Sequence, residues 1–182
     1  MKSIQRALCV VLLGLTAMLG LPASDASAGR IGSDVRSTLD EFYREARGGR
    51  EVASKAAGIL VFPTVVKAGI GFGGEYGEGA MLIGGRPAGC YNLIAASFGF
   101  QLGAQAHSVI IMFMTNDALH GFSRKAGWKV GVDGSVTLIT LGVDGSIDTD
   151  KITSPVIGFV LDQKGLMYNL TLEGSKISRT SC

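Results

Sequence analysis

The sequence predicts an α+β domain with N-terminal helices followed by about eight mostly antiparallel strands. Between residues 34 and 47, apolar side chains recur every three or four residues, a spacing typical of a helix packed on one face. From Ile59 onward the apolar period changes to two, as in strands. Glycines alternate with large apolar residues in several of these stretches, which predicts a Gly-rich sheet or a barrel-like core.

Two helices are predicted before the first strand. The first covers residues 34–47, and Ser33 or Asp34 can cap its N-terminus. Gly48 and Gly49 interrupt it, and a second short helix is predicted near residues 51–57. The apolar stripe of the first helix contains Val35, Leu39 and Phe42.

The strands are predicted from alternating or continuously apolar runs that glycine, proline or Asp-Gly turns separate. One short helix, from Thr115 or Asn116 to Phe122, lies between them. The predicted strands are Ile59–Phe62, Val65–Gly74, Ala80–Ile83, Cys90–Gln105, Val109–Met114, Trp128–Val132, Ser135–Leu141, Val156–Leu161 and Leu166–Leu172.

Two of the predicted strands carry glycine on one face. Gly69, Gly71 and Gly73 share one side of the first, while Gly99 and Gly103 repeat the feature in the second. A strand face without side chains lets another backbone come close. Such smooth strand faces suit either tight packing of a helix or sheet, or an apolar groove for a lipid tail.

The N-terminus has the three parts of a secretory signal peptide. Lys2 and Arg6 are followed by the apolar run Ala7–Leu21, and the small residues Ala26 and Ala28 suit cleavage after Ala28. The run is shorter than the roughly 20 residues that a spanning helix needs, although an uncleaved anchor is the alternative. We therefore expect residues 1–28 to be removed, leaving one domain at 29–182 that is periplasmic or secreted. Association with a membrane is compatible with either location.

Charge and cysteines bound the kind of partner. The formal charge of +2 falls to +1 when Lys2, Arg6 and Asp25 are removed, which does not favour nucleic-acid binding driven by net charge. Export permits a disulfide between Cys90 and Cys182, and two free or buried thiols are the alternative.

Patterns typical of enzymes and cofactor sites are weak. His107 and His120 fall in different predicted elements, and neither H-E-x-x-H nor G-x-S-x-G occurs. Gly69, Gly71 and Gly74 match G-x-G-x-x-G, but a strand-like segment follows where a dinucleotide site needs a helix. We expect no enzyme activity, no metal and no cofactor, and the alternative of a hydrolase has no nucleophile–base pair to support it.

Four blocks of the sequence resemble the SYLF domain, a lipid-binding module also found in yeast actin-patch proteins and plant FYVE proteins. The first is SKAAGILVFPTVVKAGIGFGGEYGEGAM, over Ser54–Met81. Three later blocks are similar too, in the same order and with similar spacing. The chain resembles small exported bacterial proteins that carry only this domain. The later blocks are Tyr91–Thr115, Trp128–Val136 and Gly165–Ile177.

The resemblance implies binding to membrane lipid through an N-terminal amphipathic helix and basic residues, with phosphoinositides as the eukaryotic ligands. Actin binding is attributed to yeast members. Export argues against actin as a partner and favours anionic phospholipid. A structural or protein-interaction domain of the cell envelope is the alternative function.

The candidate lipid-binding residues are cations of the helical region and its apolar stripe. On an anionic surface the stripe would insert and the cations would face phosphates. The alternative is that the stripe packs on the sheet. The candidates are Arg36, Arg44, Arg47, Arg50, Lys55 and Lys67, with Val35, Leu39 and Phe42 for insertion.

Overall fold

The structure is a computed structural model that describes residues 23–139, 145–147, 152–162, 165–166 and 172–182. Helix α1 spans Ala23–Glu45, α2 spans Gly49–Lys55 and α3 spans Asn116–Ser123. Helix α1 begins before the predicted start. It ends ahead of Gly48, whose φ of 85° breaks the helical path before α2. The cap predicted for α3 is present, because the Thr115 side chain accepts a hydrogen bond from the Ala118 N–H.

Seven strands in the described part of the chain pair into one sheet, namely β1 Gly58–Ile83, β2 Arg86–Phe113, β3 Gly127–Lys129, β4 Thr137–Leu138, β5 Val156–Asp162, β6 Gly165–Leu166 and β7 Lys176–Thr180. The order is β3-β7-β2-β5-β4, with β1 also on β2 and β6 on β5; β4 and β5 are parallel and the other pairs antiparallel. The predicted α+β class is therefore confirmed.

Strands β1 and β2 form one long two-stranded ribbon. The five strands predicted between residues 59 and 114 are joined here into two, because the pairing tolerates register shifts where a break was expected. One shift lies between Phe62 and Val65 and contains Pro63. The hairpin turn at Gly84 and Gly85 has φ angles of 58° and 75°, a combination that suits glycine and the twist of a tight hairpin.

The ribbon folds back on itself. A Cβ atom added at Gly79 would collide with the Val61 carbonyl oxygen, and one at Gly77 would lie 2.7 Å from Val65 Cγ2. In an extended strand, Val61 and Gly79 would be roughly 60 Å apart, because each residue adds about 3.3 Å. The two halves of β1 therefore pack closely together, and the sheet curls.

The curled sheet has a hydrophobic core on each face. Inside, Phe113, Phe122 and Trp128 pack ring against ring, with centroids 4.8 to 6.4 Å apart. Outside, α1 and α2 cover the sheet, and the rings of Phe42 and Phe159 lie 4.6 Å apart. The outer core places α1 beside the start and the end of β1.

The C-terminus is held against β2. Strand β7, which the sequence did not reveal, lies between β3 and β2, and a disulfide joins Cys90 to Cys182 with their Cα atoms 5.2 Å apart. Two predicted strands are described only in part. Residues 140–141 of Ser135–Leu141, and residues 167–171 of Leu166–Leu172, lie outside the described residues.

Candidate functional site

The apolar stripe of α1 faces the sheet. Val35, Leu39 and Phe42 are 1%, 7% and 0% exposed, and all three belong to the outer core. The structure thus shows the packing alternative for this stripe, and insertion of these side chains into a bilayer would require α1 to leave the sheet.

The cations of the two helices remain at the surface. Arg36, Arg44, Arg47 and Arg50 are exposed. Exposed Lys55 forms an ion pair with Glu51, one turn before it, with 2.7 Å between Nζ and Oε1.

Arg47 is fixed by its backbone. Its N–H donates to the Gly145 carbonyl at 2.8 Å, and its own carbonyl accepts from the Ile147 N–H at 3.0 Å. This short pairing sets the direction of the chain between α1 and α2.

Lys67 lies apart from the helical cations. Its Nζ is 3.2 Å from Oε1 of buried Glu75, which lies on the other half of the folded β1. The predicted role of Lys67 at a lipid surface is not supported by this position, because its charge is neutralised within the ribbon.

A groove runs between α1, α2 and the β1–β2 hairpin turn, with a volume of about 530 Å³. We call it the α1 groove. Its floor is mainly apolar, and Arg36 and Asp40 stand on its helical side. The lining residues are Arg36, Leu39, Asp40, Tyr43, Ala53, Ser54, Ala56, Ile59, Leu82, Gly84 and Gly85.

A second cation marks the α2 end of the groove. The guanidinium carbon of Arg50 lies 4.4 Å from the centroid of the Tyr43 ring, a cation–π contact. Partial burial raises the pKa of Tyr43, with Arg50 opposing this rise and Asp40 adding to it. The Tyr43 hydroxyl therefore keeps its proton at neutral pH and can donate a hydrogen bond to an anion.

A smaller cavity of about 220 Å³ adjoins the groove at the disulfide. We call it the disulfide cavity. It shares Arg36, Leu82 and Gly85 with the α1 groove, so Arg36 stands where the two spaces meet. Its lining residues are Ile31, Gly32, Val35, Arg36, Ala80, Leu82, Gly85, Pro87, Gly89, Cys90 and Cys182.

The guanidinium of Arg36 is available to a ligand. Within the described residues, no carboxylate lies within the 4.0 Å of an ion pair with it. Asp40, one turn later and also exposed, is the acidic residue in the lining of the groove.

The predicted glycine faces lie in the middle of the ribbon. Gly69 pairs with Gly103, Gly71 with Gly99, and Gly73 with Ser97. The α1 groove and the disulfide cavity are bordered instead by glycines of α1 and of the hairpin region, namely Gly32, Gly84, Gly85 and Gly89.

The helical cations of the site could be found from the sequence, whereas its sheet side could not. Ile59, Leu82 and Gly85 read as ordinary strand and turn residues. They meet α1 only because the ribbon folds back. The Gly84-Gly85 turn was the one feature of the sequence that marked this side of the site. It did not indicate which helix would lie against the turn.

No helix in the described ranges has the length and apolar character to cross a membrane. Those same ranges contain no group of three or more His, Cys, Asp or Glu side chains arranged to hold a metal ion.

Comparison with known families gives one match. Residues 94–181 match the family described as Ysc84: Las17-binding protein actin regulator. The matched range takes in most of the second resembling block and all of the two later ones, while Ser54–Met81 precedes it. No curated protein matches the chain. The α1 groove is formed by residues that precede the match.

Proposed function

We propose, from the match of residues 94–181 to the Ysc84 (SYLF) family, that this chain is an exported lipid-binding module that contacts anionic phospholipid. The observation that carries the proposal is the α1 groove, an apolar groove that Arg36 lines and beside which the guanidinium of Arg50 stacks on the lining residue Tyr43. Phosphoinositides, the ligands of eukaryotic relatives, would offer the same phosphate chemistry.

The groove combines the two properties that a phospholipid requires. Arginine binds phosphate oxygens by paired hydrogen bonds, and each cation near an anionic surface contributes about 1 kcal/mol. Leu39, Ile59 and Leu82 supply apolar surface beside the cations. Anionic phospholipid therefore suits the groove better than neutral lipid does.

The signal-like N-terminus and the disulfide support a periplasmic or secreted location. Disulfides persist in oxidising compartments and are rare in the cytosol. The family description names Las17 binding and actin regulation, and an exported bacterial chain would meet neither partner. This favours lipid over actin as the ligand.

A second candidate function is a protein-interaction domain of the cell envelope. Tyr76 and Ile94 are paired across the ribbon and are 49% and 50% exposed. Val66 and Ala106 form another exposed pair. A defined envelope protein recovered with the chain irrespective of lipid, and lost in a Tyr76→Ser/Ile94→Ser variant, would support this function over lipid binding.

Neutralising the groove cations is expected to weaken binding to anionic vesicles. Arg36→Gln and Arg50→Gln should each reduce affinity about fivefold and the double variant about thirtyfold, since each loses about 1 kcal/mol. Co-sedimentation with phosphatidylglycerol vesicles at low salt, compared with phosphatidylcholine vesicles, measures this effect.

Lys125→Gln is the matched control. It removes one positive charge just beyond α3, on the opposite face of the sheet, where Lys125 pairs with Asp133 at 2.9 Å. Its affinity for vesicles should stay within twofold. Equal recovery of the unaltered chain with anionic and neutral vesicles would contradict the proposed function.

A further inference from the structure

We infer that the disulfide cavity takes the end of a single acyl chain from an amphiphile whose anionic headgroup binds at Arg36. This inference rests on the proposed function and deepens it. It changes the mode of binding from contact with a bilayer surface to uptake of one chain beneath α1.

The walls of the cavity favour hydrocarbon. Ile31, Val35, Ala80 and Leu82 carry no polar side-chain atoms, and the Cys90–Cys182 disulfide completes the wall. A peptide segment would bring N–H and C=O groups that lose their hydrogen bonds to water in such surroundings, whereas an acyl chain has none to lose.

The size of the cavity favours one chain over a whole lipid. Its volume is about 220 Å³. Sites that enclose a drug-sized ligand have volumes of about 300 to 1,000 Å³. The adjoining α1 groove, about 530 Å³ in volume, then remains for the headgroup and any second chain.

The position of Arg36 sets the polarity of the ligand. Arg36 lines both spaces, is exposed, and has no ion pair within the described residues. A chain that enters the cavity would leave its anionic end beside this guanidinium. Both fatty acids and anionic phospholipids have this chemistry, while neutral hydrocarbons and neutral lipids lack the charge.

Gly32 offers a way to fill the cavity without disturbing its surroundings. It lines the cavity, and a Cβ added there would have no neighbour within 4 Å. Gly121 on α3 also has open space around an added Cβ and does not line the cavity. Gly32→Phe and Gly121→Phe are therefore matched variants that differ in whether the ring can enter the cavity.

The test uses the full chain and the fluorescent fatty acid cis-parinaric acid. The unaltered chain and Gly121→Phe should bind the probe alike, and Gly32→Phe should bind it at least tenfold more weakly. Urea unfolding followed by Trp128 fluorescence checks that both variants are folded. Equal binding by the two folded variants, or no binding by the unaltered chain, would overturn the inference.

Chain length provides a test that needs no variant. Displacement of the probe by saturated fatty acids should improve about fourfold for each added methylene until the cavity is full, because each buried methylene contributes that factor. A flat series would also overturn the inference. Parallel displacement by lysophosphatidylglycerol of equal chain length distinguishes phospholipid from free fatty acid as the better ligand.

Vesicle binding separates the two claims. Gly32→Phe should still sediment with phosphatidylglycerol vesicles, because Arg36 and Arg50 are retained. Probe binding without vesicle binding by the unaltered chain would contradict the proposed function and leave the cavity inference standing. Vesicle binding without probe binding would overturn the cavity inference and leave the proposed function standing.

Discussion

Replacing Gly79 with alanine is expected to lower the free energy of unfolding by about 3 kcal/mol or more, and valine should cost more than alanine. The added Cβ would collide with the Val61 carbonyl oxygen, and Phe62 Cδ1 lies only 2.7 Å from the same position. The nearest atom belongs to the backbone, so no rotamer change can relieve the contact. The two halves of β1 would have to separate.

Urea unfolding followed by the fluorescence of buried Trp128, the single tryptophan, measures this effect. Gly74→Ala is the control in the same strand, because its added Cβ would lie 3.7 Å from the Ala95 carbonyl oxygen, an ordinary contact. We expect it to be neutral or stabilising by up to about 1 kcal/mol. Equal stability of Gly79→Ala and Gly74→Ala would show that the ribbon does not fold back as described.

Replacing Phe42 with alanine is expected to destabilise the protein by about 3–5 kcal/mol. The ring is fully buried, lies 4.6 Å from the ring of Phe159, and would be 2.9 Å from a Cβ added at Gly49. Truncation leaves a cavity between α1 and the sheet. The urea midpoint should fall while the m-value stays constant.

Phe42→Leu separates a packing role from a membrane-inserting role. A leucine retains most of the volume and should cost less than about 1.5 kcal/mol. If Phe42 instead inserted into lipid, Phe42→Ala would weaken vesicle binding and leave stability nearly unchanged. That outcome would contradict the position of α1 on the outer core.

Elements with a strong local pattern were predictable. The stripe through Val35, Leu39 and Phe42 identified α1, and Thr115 marked the start of α3. The run Val156–Leu161 matches β5 closely. In each case the face that the local periodicity marks as apolar is the face that the fold buries. Tertiary packing therefore does not change the type of the predicted element.

Strand boundaries and close approaches were less predictable. Pro63 predicts the end of a strand, but the pairing of β1 with β2 accommodates this proline at a register shift within β1. The sequence predicts smooth faces at Gly69, Gly71 and Gly73, whereas the two halves of β1 approach each other at Gly77 and Gly79, where an added Cβ would lie 3.0 Å from the Thr64 carbonyl oxygen or collide with that of Val61. Periodicity shows which residues alternate. It does not show which part of a bent strand meets another.

The same limit applies to the candidate site. Arg36 and Arg50 could be identified as exposed cations on helices, since charge and helical phase are local properties. Leu82, Gly85 and Cys182 reach the site from the hairpin turn and the C-terminus. Their position at the site depends on the fold-back of the ribbon and on the disulfide. Neither of these features can be recognised from the residues next to it in the sequence.

Native mass spectrometry of the chain recovered from its own cell envelope tests lipid binding at the α1 groove most directly. We expect a population that carries the mass of one anionic phospholipid, and we expect the Arg36→Gln/Arg50→Gln variant to lose it. Recovery of the unaltered chain with its disulfide intact and without any bound lipid would contradict lipid binding at this groove.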